Sequence, residues 1–117
     1  MKIIEVRVGN LIEYNNNGCP VYICGIYNEY IYYNHLRCCS PANTMNPIKI
    51  TEKWLFKFGF ELSEQSDDVF EIGNFQILRM LGNTFELFSH DSPVEIKFVH
   101  QVQNLYFALT GSELVLG

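Results

Sequence analysis

Hydrogen-bonding side chains recur at helical spacing in "VHQVQNLYFALTG" (99–111), where His100, Gln103, Asn104 and Phe107 share one face and Gln101 flanks them. None of the polar members carries a fixed charge. Amide and imidazole groups both donate and accept, so such a face suits the edge of a nucleobase or a ribose without an ionic partner. The same groups can instead tie the helix to neighbouring loops by satisfying backbone carbonyls. The residue types leave both readings open.

Tyr22, Tyr27, Tyr30, Tyr32 and Tyr33 form a second cluster. Strand alternation puts Tyr30 and Tyr32 on one face and Ile31 and Tyr33 on the other. Tyrosine joins an apolar ring to a polar tip, which suits interfaces and base stacking. Cross-strand pairing within a small sheet accounts for the same rings. Trp54 is a further stacking candidate, with Lys53 and Lys57 placed for phosphate oxygens.

Other reactive types are less well arranged. Cys19, Cys24, His35 and Cys38 spell C-x4-C-x10-H-x2-C, the residue types of a zinc site. The spacing is looser than a paired C-x2-C, and a thiol in an apolar strand such as Cys24 is ordinary. No metal and no cofactor is expected. Cys38 or Cys39 with His35 offers a nucleophile and a base, but nothing in the local sequence marks either thiol as activated. Asp67 and Asp68 are adjacent, so they point apart on a strand and are solvated in a loop; His90 and Asp91 sit in a turn, and no phosphate loop, nucleophile elbow or metalloprotease helix occurs. The chain does not read as an enzyme.

The formal net charge of −5 and eight scattered basic residues argue against extended nucleic acid, whose binders neutralise phosphates. The opening "MKIIEVRVGN" lacks a signal peptide's apolar run, and no stretch is long enough to span a bilayer. A cytoplasmic protein with reduced thiols is expected, with no membrane partner.

These residues must be held by local elements. The spacing predicts strands at "LIEY" (11–14), "CPVYICGIY" (19–27) and "YIYYNHL" (30–36), a small curled antiparallel sheet of SH3-like type. Gly25 marks a bulge or bend. "RCCSPANTMNP" (37–47) reads as a polar loop. "ITEKWLFKFGF" (50–60) reads as a short helix capped by Thr51, stapled by Ile50 and Leu55, and stopped at Gly59. "VFEI" (69–72), "FQILRM" (75–80), "TFELF" (84–88) and "VEIKF" (94–98) predict a meander with one wet face. The 99–111 helix covers it through Val102, Leu105, Tyr106 and Leu109, and "SELVLG" adds an edge strand. The fold class is α+β in a single domain of 1–117, with a β part at 1–46 and helix, meander and helix at 47–117.

"PIKITEKWLFKFGFE" (47–61) and "VHQVQNLYFALTGSEL" (99–114), with the "RVGN" opening at 7–10, resemble small uncharacterised proteins of gut bacteria, their phages and integrated elements. The resemblance implies an accessory protein of a mobile element, a setting where small binders that blunt host defence are common. Together these readings lead to a non-catalytic, homo-oligomeric binder that sequesters a small nucleotide-like ligand, such as a host immune signal. Its contacts would be His100, Gln103, Asn104, Phe107, Trp54, Lys53, Lys57, Tyr30 and Tyr32. The alternative is a protein-interaction module in which the same rings and amides meet a host or phage protein.

Overall fold

The computed structural model describes residues 6–14, 20–34, 37–82, 84–87 and 94–116. It divides into two compact units, Met1–Lys49 with Phe98–Asn104, and Ile50–Lys97 with Leu105–Gly117.

The first unit is a five-stranded antiparallel sheet curled into a half-barrel. Its strands are β1 (Leu11–Tyr14), β2 (Pro20–Tyr27), β3 (Tyr30–Tyr33), β4 (Cys38–Pro41) and β5 (Met45–Pro47). They lie in the order β4-β3-β2-β1-β5, so the last strand returns beside the first. Register slips between Ile23 and Gly25, where the sequence places a bulge, and this slip lets β2 bend. The buried face carries Val6, Ile12, Ile23, Ile31, Ala42 and Met45, with Val21, Ile26 and Tyr33 packed against it.

Residues 37–47 depart from the expected loop. They form β4, a 3-10 turn at Ala42–Thr44, and β5. Cys, Ser, Asn and Pro carry little strand propensity, so pairing with β3 and β1 decides the matter. Pro41 is tolerated because β4 is an edge strand, where one missing donor costs least.

The second unit begins with helix α1 (Glu52–Lys57). Thr51 has the extended backbone of an N-cap, although its hydroxyl makes no cap bond. The C-terminus follows expectation: Gly59 sits at φ 94°, and the Gly59 and Phe60 N–H groups donate to the Phe56 and Leu55 carbonyls at 3.0 Å each. That is a Schellman stop, in which glycine avoids the left-handed penalty. Five antiparallel strands follow in sequential order: β6 (Glu61–Ser63), β7 (Ser66–Ile72), β8 (Phe75–Met80), β9 (Thr84–Leu87) and β10 (Val94–Ile96). The sequence missed β6 and the start of β7 because "SEQSDD" is polar, and these residues occupy the sheet's outer hairpin.

One face of this meander is aromatic. Phe56, Phe70 and Phe85 meet edge-on in series, as do Phe60, Phe75 and Tyr106. Much of the phenylalanine surplus is therefore core. The opposite face is wet, with Glu61 directly across from Glu71 and Glu86 across from Glu95. Arg79 clamps the margin, donating to Glu52 at 2.6 Å, to Asp68 at 3.4 Å and to the Asp67 carbonyl at 2.8 Å.

Helix α2 (Val99–Thr110) ends at Gly111, φ 76°. Tyr106 joins the aromatic core as expected, but Leu109 is 64% exposed, so the apolar stripe stops one turn early. Residues 113–116 form no strand. Leu114 is nevertheless buried.

Candidate functional site

The amide face of α2 does not look into solvent. His100 and Gln103 are buried, at 2% and 0% exposure. They sit in the first unit, where the "RVGN" segment forms a tight turn. Gly9 adopts φ 97°, and the Asn10 N–H donates to the Arg7 carbonyl at 3.1 Å. Asn10, fully buried, holds the turn from inside, because its Oδ1 accepts from the Arg7 N–H at 2.7 Å.

Two α2 side chains then close the turn. The Gln103 Oε1 accepts from the Leu11 N–H at 2.8 Å, and its Nε2 donates to the Gly9 carbonyl at 3.1 Å. Asn10 Nδ2 donates to Asn104 Oδ1 at 2.8 Å, while the Arg7 guanidinium reaches the Gln103 carbonyl at 3.3 Å. Backbone groups that leave water need partners, and a primary amide supplies one donor and one acceptor from a single neutral group. Gln101 works the same way at the helix start, accepting from the Phe98 N–H at 2.9 Å. His100 stacks on Phe98, with centroids 5.7 Å apart and planes 7° from parallel. Of the two readings offered by the residue types, the geometry takes the tying one. Gln103 spends its amide on these backbone groups, and His100 is buried against Phe98.

The remaining candidates fall on other elements. Lys57 Nζ lies 4.6 Å from the centroid of the Trp54 ring, so this lysine is engaged by its own helix through a cation–π contact. Lys53 is exposed on the same helix, and Phe107 is exposed near the end of α2. Cys24, Cys38 and Cys39 are free thiols. Cys19, His35, His90 and Asp91 lie outside the described residues. Among the described residues, no three His, Cys, Asp or Glu side chains gather to hold a metal. No helix among them is long and apolar enough to cross a membrane.

Three of the tyrosines, Tyr22, Tyr27 and Tyr30, are exposed. Tyr27 pairs directly with Tyr30, Gly25 with Tyr32, and the rows continue to Pro41 and Cys39 on β4. Residues opposite one another share a face. Tyr22, Tyr27, Tyr30 and Tyr32 therefore line the side of the sheet away from Ile23 and Ile31. Tyr33, as the alternation predicts, turns to the buried side and bonds Ser40 through its hydroxyl at 3.1 Å. Tyr27 is 74% exposed, Tyr30 43% and Tyr22 38%. A cleft of about 330 Å³ opens nearby, lined by Val21, Tyr22, Tyr33 and Asn34.

No family model, curated protein or solved structure matches this chain. The site must be read from its own geometry.

Sequence reasoning missed two parts of it. Asn10 enters the sequence reading only within the "RVGN" opening, although an asparagine after a Gly in a turn is a local bonding signal. Glu29 is not singled out. It occupies the two-residue connection Asn28–Glu29, with φ of 52° and 66°, a left-handed turn of the hairpin-closing kind.

Proposed function

We propose that this protein is a non-catalytic interaction module that meets a protein partner through the tyrosine face of β2 and β3. The observation that carries this reading is the exposure of Tyr27, Tyr30 and Tyr22 on one side of the paired β2 and β3. Rings with polar tips are favoured at contact surfaces and are seldom left in water without use. The burial of Gln103 and His100 counts against a nucleotide reader built on α2. The resemblance to accessory proteins of gut bacteria and their phages agrees with a small binder, and a host or phage protein is the proposed partner.

The size of the patch bears on the contact. Taking about 200 Å² as what one tyrosine can bury, the exposed fractions leave roughly 300 Å² in these three rings. A stable pair of folded proteins needs about 800 Å² per partner. The patch therefore suits a short segment or a transient contact.

The cleft beside Tyr22 supports a second reading, a small ring-bearing ligand of nucleotide type. Its volume of about 330 Å³ falls at the low end of the range for small-molecule sites.

Native mass spectrometry of freshly purified protein, followed by a thermal-shift panel of nucleotides, separates the two. A nucleotide adduct lost in Tyr22→Ala moves the site to the cleft. A bare mass and a flat panel, with partner capture that needs Tyr27 and Tyr30, uphold the interaction module.

A further inference from the structure

The hairpin tip holds a feature that the tyrosine face alone does not explain. Two-residue hairpin turns of this hand strongly prefer glycine, because both central residues take positive φ. Asn tolerates that conformation, and Asn28 at φ 52° fits. Glu29 at φ 66° does not. A side chain with a Cβ is disfavoured there, and no local hydrogen bonding of the asparagine kind makes it easier. The turn itself has a structural use, since the Glu29 carbonyl accepts from the Ala42 N–H at 2.9 Å, but glycine would make that bond equally well; what glutamate adds at this exposed outlier is a carboxylate, and that invites a functional account. Glu29 stands between Tyr27 and Tyr30, the most exposed ring of the face and its direct cross-strand partner.

Resting on the interaction reading above, we infer that the tip formed by Tyr27, Glu29 and Tyr30 receives a lysine or arginine side chain from a short segment of another protein. An aromatic face attracts a cation through its quadrupole, and an exposed carboxylate in the turn that joins the two tyrosine strands offers an ion pair whose charge matches. The surroundings agree. The chain carries −5 overall, so a cationic partner is drawn in and a second copy of the chain is repelled. Arg37 precedes β4, at the end of that strand away from the tip, so the partner's positive charge is directed to the Glu29 end. The exposed ring area, less than half of what a stable dimer needs, also points to a segment rather than a second copy.

Selection from a displayed random library of short linear peptides tests this. The winners are then synthesised and titrated by calorimetry against wild type, Tyr30→Ser and Glu29→Gly. Selected peptides should be enriched in Lys or Arg over Asp and Glu. Tyr30→Ser should abolish binding. Glu29→Gly should weaken it by up to about fivefold, the size of one exposed ion pair, and flatten its salt dependence, while melting no earlier than wild type. Winners without basic residues, an empty selection, or wild-type affinity in Glu29→Gly overturn the inference. Winners that need Tyr30 but ignore Glu29 remove only the cation and leave the interaction reading standing. Winners indifferent to both variants remove the tyrosine face as well. A dimer in the native mass spectrum that Tyr30→Ser dissociates would replace the segment with a second copy.

Discussion

Two tight turns in the first unit make an instructive pair. The turn at Arg7–Asn10 and the turn at Asn28–Glu29 both use left-handed backbone. In the first, the left-handed residue is Gly9; the neighbouring Asn10 is buried and bonded to Asn104 of α2, and the Gly9 carbonyl and Leu11 N–H are bonded to Gln103. In the second, a glutamate takes the position where glycine is preferred, and the rings on either side stand in water. One turn spends polar groups inside to fix a fold. The other keeps apolar and charged groups outside at a local cost. Residue type would assign these roles the other way round, and what decides is which backbone groups need partners.

The largest expected effect lies at Gln103. Gln103→Leu leaves the Leu11 N–H and the Gly9 carbonyl without their partners. Each orphaned buried group costs about 1–3 kcal/mol, so urea unfolding should show a loss of about 3 kcal/mol. A loss under 1 kcal/mol would mean that water replaces the amide, and the buried side of the comparison would fail.

Asn10→Ala comes next. It removes the acceptor for the Arg7 N–H and the donor to Asn104, for about 2 kcal/mol. Asn104 is only half-buried, so Asn104→Ala should cost about 1 kcal/mol. A double-mutant cycle should return a coupling near 1 kcal/mol for the pair. Additive losses would show that the contact seen between the two amides carries no energy of its own.

These expectations clarify what could be read from the residues. The first three strands were legible because "LIEY", "PVYICGIY" and "YIYY" alternate or run apolar between turn residues, and Gly59 and Gly111 announce helix ends. β4, β5 and β6 were not, because Cys38–Pro41, Met45–Pro47 and Glu61–Ser63 are strands by virtue of their neighbours. The amide face was half legible. An uncharged polar stripe on a helix signals that its groups are not simply solvated, but it does not say what they bond. That answer sits about ninety residues away in sequence, at Gly9–Leu11, which no periodicity within the helix can reveal. Exposure of Tyr27 and Tyr30 was equally hidden, since cross-strand packing and contact surfaces use the same residues.

On the exposed side, Tyr27→Ser and Tyr30→Ser should each change stability by no more than about 0.5 kcal/mol, as surface substitutions do, yet remove partner binding. If either costs more than about 1.5 kcal/mol, the rings support the sheet and the contrast with the buried turn narrows.

The sharpest test rests on sign and not on size, because the two left-handed positions should respond in opposite directions. Gly9→Ala forces a Cβ onto φ 97° and should cost about 1 kcal/mol. Glu29→Gly relieves a Cβ at φ 66°. The gain of about 1 kcal/mol is partly offset by the wider freedom of glycine in the unfolded chain, leaving roughly 0.5 kcal/mol of stabilisation. Thermal melts of the two variants side by side read the signs directly. A destabilised Glu29→Gly would mean that the glutamate holds the hairpin together, and the strain would then have a structural cause. A stabilised one means that the hairpin would be firmer without the carboxylate, whose retention is then explained by what it touches outside the chain.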